Sequence, residues 1–97
     1  MRRDAAIAQL RAHEADLRKT GVARLWLFGS VSRDEARPDS DVDLFFETDD
    51  PKFSLIELVD VQDQVAEILG NEADVMSRDS LHPMLRDRIE ADALRVF

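Results

Sequence analysis

The sequence predicts a single α/β domain over residues 1–97, built as a small mixed sheet of three to four strands with helices packed against it. Two observations predict this class. Short apolar segments bounded by glycines or turn-forming residues alternate with longer segments in which apolar residues recur at helical spacing. The resulting order is α-β-α-β-α-β-α, and 97 residues are enough for one core of this kind.

The first half of the chain gives a helix, a strand and a short helix. Residues 4–20 are predicted to form one helix, because apolar side chains recur at helical spacing and Gly21 suits the position just past a helix end. Residues 23–28, ARLWLF, are apolar and flanked by glycines, which predicts a buried strand. A short helix is expected from Ser30 to about residue 36, and residues 38–40, Pro-Asp-Ser, are typical of a turn.

The second strand and the helix after it have clear boundaries in the sequence. Residues 41–47, DVDLFFE, form an apolar run that begins with two aspartates. Ser54 and Glu57 have the spacing of a capping box, which predicts that a helix starts there, and Gly70 suits its end. The helix is marked by six apolar residues: Leu55, Leu58, Val59, Val65, Ile68 and Leu69.

The last part of the chain predicts a strand and a final helix. Residues 73–77, ADVMS, read as a third short strand. The final helix is expected to start at Asp79 or Ser80 and to carry Leu81, Met84, Leu85, Ile89 and Leu94. Residues 94–97, LRVF, are alternatively a short edge strand.

Composition narrows the classes of function. The formal net charge of −8 argues against a protein that contacts nucleic acid directly, because such proteins need cations opposite the phosphates. A nucleotide site stays open, since metal ions can supply positive charge, and an acidic surface suits a basic protein partner. With no cysteine there is no thiol nucleophile. No apolar run resembles a membrane span or signal peptide, so we expect a cytoplasmic protein without membrane contact.

Two aspartates at the start of the second strand are the first candidate site. Asp41 and Asp43 are two residues apart, so their side chains share one face of the sheet. Carboxylates held side by side repel each other unless a cation lies between them or water screens them. Mg²⁺ meets that need, because it takes oxygen ligands and is commonly bound by one or two carboxylates together with phosphates. The alternative is a solvated strand end that binds nothing.

Gly29 and Ser30, at the end of the first strand, are the second candidate site. A helix starting near Ser30 would direct free backbone N–H groups beyond the strand end, which favours an anion there. Gly29 would let a phosphate approach the backbone closely, and Ser30 adds a hydroxyl donor. The alternative is an ordinary helix cap.

The combined pattern Gly29-Ser30-x10-Asp41-Val42-Asp43 resembles the signature of the polymerase-beta-type nucleotidyltransferases. The short chain and the segments EARPDSDVDL, LVDVQDQVAEILG and ADVMSRDSL resemble the minimal nucleotidyltransferases (MNT), which are the antitoxins of HEPN–MNT toxin–antitoxin pairs. This resemblance implies the polymerase-beta-like nucleotidyltransferase fold. It also implies Mg²⁺-dependent transfer of AMP from ATP to a hydroxyl group, expected to be that of a tyrosine, on a partner HEPN ribonuclease toxin.

The resemblance also implies roles for individual residues. Two Mg²⁺ ions would be held by the catalytic aspartates Asp41, Asp43 and Asp74, with Glu72 as a competitor for the third position. The nucleotide would be bound by Gly29, Ser30, Arg33 and Ser40.

Two features leave other functions open. The family often has Arg-x-Arg-Gly after Gly-Ser, whereas this chain has Val31-Ser32-Arg33-Asp34. Val31 lacks a cation and Asp34 adds an anion, so we expect lower nucleotide affinity. The alternatives are a non-catalytic antitoxin that masks the toxin by binding it and a nucleotidyltransferase that acts on a small molecule.

Overall fold

The computed structural model describes residues 2–37 and 40–97, so the predicted turn at residues 38–40 lies largely outside the described residues. Its elements in chain order are α1 (Arg3–Ala12), α2 (Glu14–Thr20), β1 (Arg24–Phe28), α3 (Gly29–Ser32), β2 (Val42–Glu47), α4 (Leu55–Leu69), β3 (Ala73–Ser77), a 3-10 turn (Arg78–Ser80), α5 (Pro83–Asp92) and β4 (Leu94–Arg95).

The four strands form one sheet in the order β3-β2-β1-β4. β1 runs antiparallel to both β2 and β4, whereas β2 and β3 are parallel. The predicted small mixed sheet is therefore confirmed, and the edge strand considered for residues 94–97 is present as Leu94–Arg95. Leu94 consequently belongs to this strand and not to the last helix, because it pairs with Leu27 of β1.

The two faces of the sheet have different roles. One face carries the main core, in which alternate strand residues pack against buried side chains of α1, α2 and α4; the strand residues are Leu25, Leu27, Val42, Leu44, Phe46, Ala73 and Val75. The opposite face carries Trp26 and Phe28 of β1, Asp43 and Phe45 of β2, and Asp74 of β3, as strand alternation requires. No helix in the described residues is long and apolar enough to cross a membrane.

The helix predicted for residues 4–20 is two helices, so that prediction is wrong at its centre. His13 has φ −109° and ψ 19°, and its amide donates to the Leu10 carbonyl at 3.1 Å, three residues back. Leu10 and Leu17 on the two sides of the break are both fully buried. Hydrophobic spacing alone could not reveal the break, because both halves bury the same stripe. Gly21 ends α2 in the left-handed region, as predicted.

Helix α4 begins and ends as the sequence indicates. Ser54 and Glu57 form the capping box, and Gly70 ends the helix with φ +64°. The helix buries Val61, Val65 and Leu69 against the sheet. Its first turns project outward, so Leu55, one of the apolar residues that predict the helix, is 77% exposed.

Two other helices differ in extent from the predictions. α3 ends at Ser32 instead of continuing to about residue 36, because the backbone leaves the helical region at Asp34, whose φ is +55°. α5 starts at Pro83 instead of Asp79 or Ser80. His82 caps it, since its Nδ1 accepts the Met84 amide at 3.2 Å, and proline is suited to the first helical position because it needs no N–H partner there.

Candidate active site

The sheet register brings two of the predicted site aspartates together. Asp43 of β2 pairs directly with Asp74 of β3 in the parallel ladder. Asp41 precedes β2 by one residue and lies two residues before Asp43. Asp43 is half-buried, whereas Asp41 and Asp74 are exposed. Asp43 and Asp74 therefore share one face across two strands, and the face predicted to be common to Asp41 and Asp43 stays a prediction.

Asp43 is the electrostatic centre of this group. Burial raises the pKa of its carboxyl group, and the charges of Asp74 and then Asp41 raise it further, while the Arg33 guanidinium lowers it. Asp74 pairs directly with Asp43 in the ladder, whereas Glu72 lies before β3, which favours Asp74 over Glu72 as the third carboxylate. Such repulsion is unfavourable in the folded chain alone and is relieved when a cation binds between the groups.

Gly29 lies directly against Asp43. Its φ of +77° is in the left-handed region, and a Cβ added there would overlap the Asp43 carboxylate. Phe28, the residue before Gly29, pairs with Asp43 across β1 and β2. The two halves of the sequence motif are thus in physical contact, and glycine is required both for the backbone angle and for the room that Asp43 occupies.

Ser30 belongs to the short turn of helix that follows Gly29. Its carbonyl accepts the amides of Arg33 at 3.2 Å and Glu35 at 2.9 Å, which closes the turn. Ser32 stabilises the same turn by donating its hydroxyl to the Gly29 carbonyl at 2.7 Å. The backbone turn that is predicted to bind phosphate is therefore stabilised by hydrogen bonds within the turn itself.

The two departures from the family pattern are explained by the fold. Val31 is 1% exposed and packs in the main core, so the side chain at this position faces away from the aspartates. The Asp34 carboxylate accepts the Arg3 amide at 2.8 Å and thereby caps the start of α1. Asp34 also tolerates its positive φ better than most residues other than glycine. Neither departure introduces an unpaired anion beside Asp43.

Arg33 borders a cavity of about 460 Å³ next to Gly29. Its guanidinium pairs with Glu35 and with Asp92 of α5, each at 3.2 Å. The same cavity is lined by Phe28, Ile89 and Arg88. Arg88 was not singled out in the sequence, because nothing in the local pattern of α5 relates it to the Gly-Ser motif.

Ser40, the remaining predicted nucleotide-binding residue, holds the loop before β2. Its hydroxyl accepts the Arg37 amide at 3.0 Å, and its carbonyl accepts the Asn71 side chain at 3.3 Å. These bonds connect the loop to the segment between α4 and β3. Its part in nucleotide binding stays a prediction.

The aspartate face fits Mg²⁺ by its chemistry, although its side chains do not form a ready cluster. Carboxylates of this kind match the oxygen ligands that Mg²⁺ takes, and burial, followed by the charges of Asp74 and Asp41, raises the pKa of Asp43. Over residues 2–37 and 40–97, no three acidic or histidine side chains converge closely enough to enclose an ion. Because Mg²⁺ sites are commonly completed by phosphate oxygens, this arrangement suits an ion that arrives with a nucleotide.

Comparison with known proteins identifies relatives over nearly the whole chain. The family model described as "Nucleotidyltransferase domain" matches residues 10–96. A protein of Methanocaldococcus jannaschii, provisionally named a protein adenylyltransferase, is 42% identical over 81 residues, which are 84% of this chain and 86% of that protein.

Solved structures show the same fold. One, provisionally described as a minimal nucleotidyltransferase, superposes with a TM-score of 0.83 at 30% identity and covers 97% of this chain and 95% of its own. Another is an MNT antitoxin in complex with a tri-AMPylated HEPN toxin of Shewanella oneidensis, with a TM-score of 0.67 at 17% identity over 94% of this chain and 71% of its own. The second likeness concerns the fold alone.

Proposed function

The chain belongs to the nucleotidyltransferase domain family, and we propose that it is an antitoxin that transfers AMP from ATP to a hydroxyl group of a HEPN-type toxin. The observation that carries this proposal is the position of Asp43, which lies against Gly29 and beside Asp74. One carboxylate is thereby next to both the phosphate-binding turn and the second strand that contributes an aspartate. A solvated strand end would need neither contact.

The three aspartates would hold Mg²⁺, whose positive charge offsets the negative charge of the phosphates. Asp41, Asp43 and Asp74 would supply the carboxylate oxygens. Burial raises the pKa of Asp43, the charges of Asp74 and Asp41 raise it further, and a bound cation would relieve that repulsion. Bound Mg²⁺ would neutralise the triphosphate and the leaving pyrophosphate. Replacing these aspartates is therefore expected to abolish AMP transfer and not merely to weaken nucleotide binding.

The turn after β1 would bind the outer phosphates. The backbone N–H groups at Gly29 and Ser30 and the Ser30 hydroxyl are donors suited to the β- and γ-phosphates. Arg33 would add a guanidinium after exchanging a carboxylate partner for phosphate, since Glu35 and Asp92 hold it in the present arrangement.

The reaction itself is a displacement at the α-phosphorus. The acceptor oxygen forms a bond to the α-phosphorus, the bond from that phosphorus to the bridging oxygen of the β-phosphate breaks, and pyrophosphate leaves. Asp74 is exposed beside Asp43 and is suited to accept the proton of the acceptor hydroxyl. The partner would supply that hydroxyl, and we expect it to be that of a tyrosine.

Calorimetric titration with ATP tests the nucleotide and metal parts of the proposal. ATP is expected to bind in Mg²⁺ and to bind much more weakly in EDTA, and Asp43→Asn should reduce the difference. Asp60→Asn is the matched control, because Asp60 is an exposed aspartate of α4 and loses the same charge. Equal ATP affinity in Mg²⁺ and EDTA would contradict the role of the aspartates as metal ligands.

The masking alternative makes a different prediction for the same variant. If the chain silences its toxin by contact alone, Asp41→Asn should neutralise a HEPN-type toxin as well as the wild-type chain does. If transfer is required, that variant should bind the toxin and leave it active. A toxin-activity assay combined with a binding measurement separates the two outcomes.

A further inference from the structure

One side of helix α5 is attached to the sheet, and the other side lines a cavity. On one side Glu90 accepts Arg78 at 2.7 Å and Arg86 at 3.2 Å, and Arg78 also lies 5.5 Å above the Trp26 ring, which anchors the helix to the sheet. The other side, with Arg88, Ile89 and Asp92, faces the cavity beside Gly29. The helix therefore carries two arginines two residues apart with opposite surroundings.

The cavity has a position suited to an anion and is lined by the guanidinium group of Arg88. It has a volume of about 460 Å³ and is bordered by Gly29 on one side and by α5 on the other. Two guanidinium groups, from Arg33 and Arg88, and one carboxylate, from Asp92, line it. Asp92 is already paired with Arg33 at 3.2 Å, whereas no carboxylate of the described residues forms an ion pair with Arg88.

We propose that Arg88 is a nucleotide-binding residue that pairs with the outer phosphates of the bound nucleoside triphosphate. The proposal rests on the proposed function, which places those phosphates against Gly29, and Gly29 lines the same cavity as Arg88. A guanidinium group offers paired N–H donors that match phosphate oxygens. Residues 31–34, directly after Gly29-Ser30, supply a single arginine, Arg33, because Val31 is buried in the core. Helix α5 thus provides the second cation from elsewhere in the chain.

The role of Arg88 is tested by measuring how ATP and AMP displace a fluorescent ATP analogue in Mg²⁺. Arg88→Gln is expected to weaken ATP about tenfold, the usual loss for a charge-assisted contact in a partly open site. AMP lacks the outer phosphates, so its affinity should change less than about twofold. Arg88→Lys should give an intermediate loss of ATP affinity, because lysine keeps the positive charge but lacks the paired N–H donors of the guanidinium group.

Arg86→Gln is the matched control. It changes the same residue type on the same helix, but Arg86 pairs with Glu90 and is not part of the cavity lining. Far-ultraviolet circular dichroism should show all variants folded, since Arg88 is exposed. Unchanged ATP affinity in Arg88→Gln, an equal loss in Arg86→Gln, or an equal loss for AMP would overturn this inference alone. Failure of the wild-type chain to bind ATP would overturn the proposed function together with it.

Discussion

The contact between Gly29 and Asp43 predicts an unusual cost for a one-carbon substitution. Gly29→Ala places a methyl group where the Asp43 carboxylate lies and forces alanine to adopt φ +77°. Gly70→Ala is the matched control, because Gly70 has φ +64° but nothing lies within 4 Å of an added Cβ. The two variants share the backbone cost and differ in the overlap.

The magnitudes follow from these two terms. A left-handed backbone costs a non-glycine residue about 1–2 kcal/mol, which both variants lose. Overpacking at a well-filled position adds about 1–3 kcal/mol, which only Gly29→Ala loses. We therefore expect the free energy of unfolding to fall by about 1–2 kcal/mol in Gly70→Ala and by about 2–5 kcal/mol in Gly29→Ala.

A second substitution identifies the source of the excess. Asp43→Ala removes the carboxylate and leaves the Asp43 Cβ, at 3.3 Å, as the nearest atom to the added methyl group. In the Gly29→Ala background it should recover most of the overlap cost, a coupling of about 1–3 kcal/mol. Urea denaturation monitored by circular dichroism at pH 7 measures the wild-type chain and the four variants. Equal destabilisation by Gly29→Ala and Gly70→Ala, or additive effects in the double variant, would refute the contact.

Three further predictions concern neighbouring features of the site and the fold. Asp43→Asn should raise the free energy of unfolding at pH 7. The pKa of Asp43 is raised in the folded chain, so the wild-type chain loses stability as the pH rises above the ordinary carboxyl pKa of 3.8. Urea titrations should show that the difference in stability between the two chains disappears below that pH. Ser30→Ala should slow AMP transfer less than Asp43→Asn does, since Ser30 contributes one hydrogen bond of about 1–3 kcal/mol among several donors, and the reverse order of rates would make the assigned roles wrong. Ser54→Ala should lower the free energy of unfolding by about 1 kcal/mol through loss of the capping box at α4, measurable in urea, with no effect on ATP affinity.

Local sequence signals were sufficient wherever a short-range rule decides the structure. Strand alternation predicted the face on which Asp43 lies, and the capping box and Gly70 defined α4. Residues 73–77 form β3 as predicted, because a short apolar run between turn residues has few other ways to bury itself. The direct pairing of Asp43 with Asp74, by contrast, is a matter of sheet register between distant segments, and only the resemblance to a family indicated it.

Other features depend on tertiary packing or on backbone detail. The helix is interrupted at His13, but the apolar residues on both sides of the interruption are buried at continuous helical spacing. The periodicity of the sequence could therefore not reveal the interruption. The late start of α5 follows from Pro83, a signal that the apolar pattern from Leu81 concealed. Arg88 lines the cavity because α5 lies against the sheet, where Arg78 pairs with Glu90, and no local rule contains that placement. Likewise, only the structure shows that residue 31 is buried in the core, which explains why valine occupies a position where the family often has arginine.

AMP transfer to the toxin is tested most directly with ATP radiolabelled at either the α- or the γ-phosphate, in Mg²⁺, with and without a HEPN-type toxin. We expect label from the α-phosphate to appear on the toxin, label from the γ-phosphate not to appear there, and the chain alone to label itself little. Asp43→Asn should abolish the signal, and Asp60→Asn should leave it intact. Label arriving from the γ-phosphate would mean phosphorylation, and tight toxin binding with no transfer from either position would mean masking by contact; each result would contradict AMP transfer.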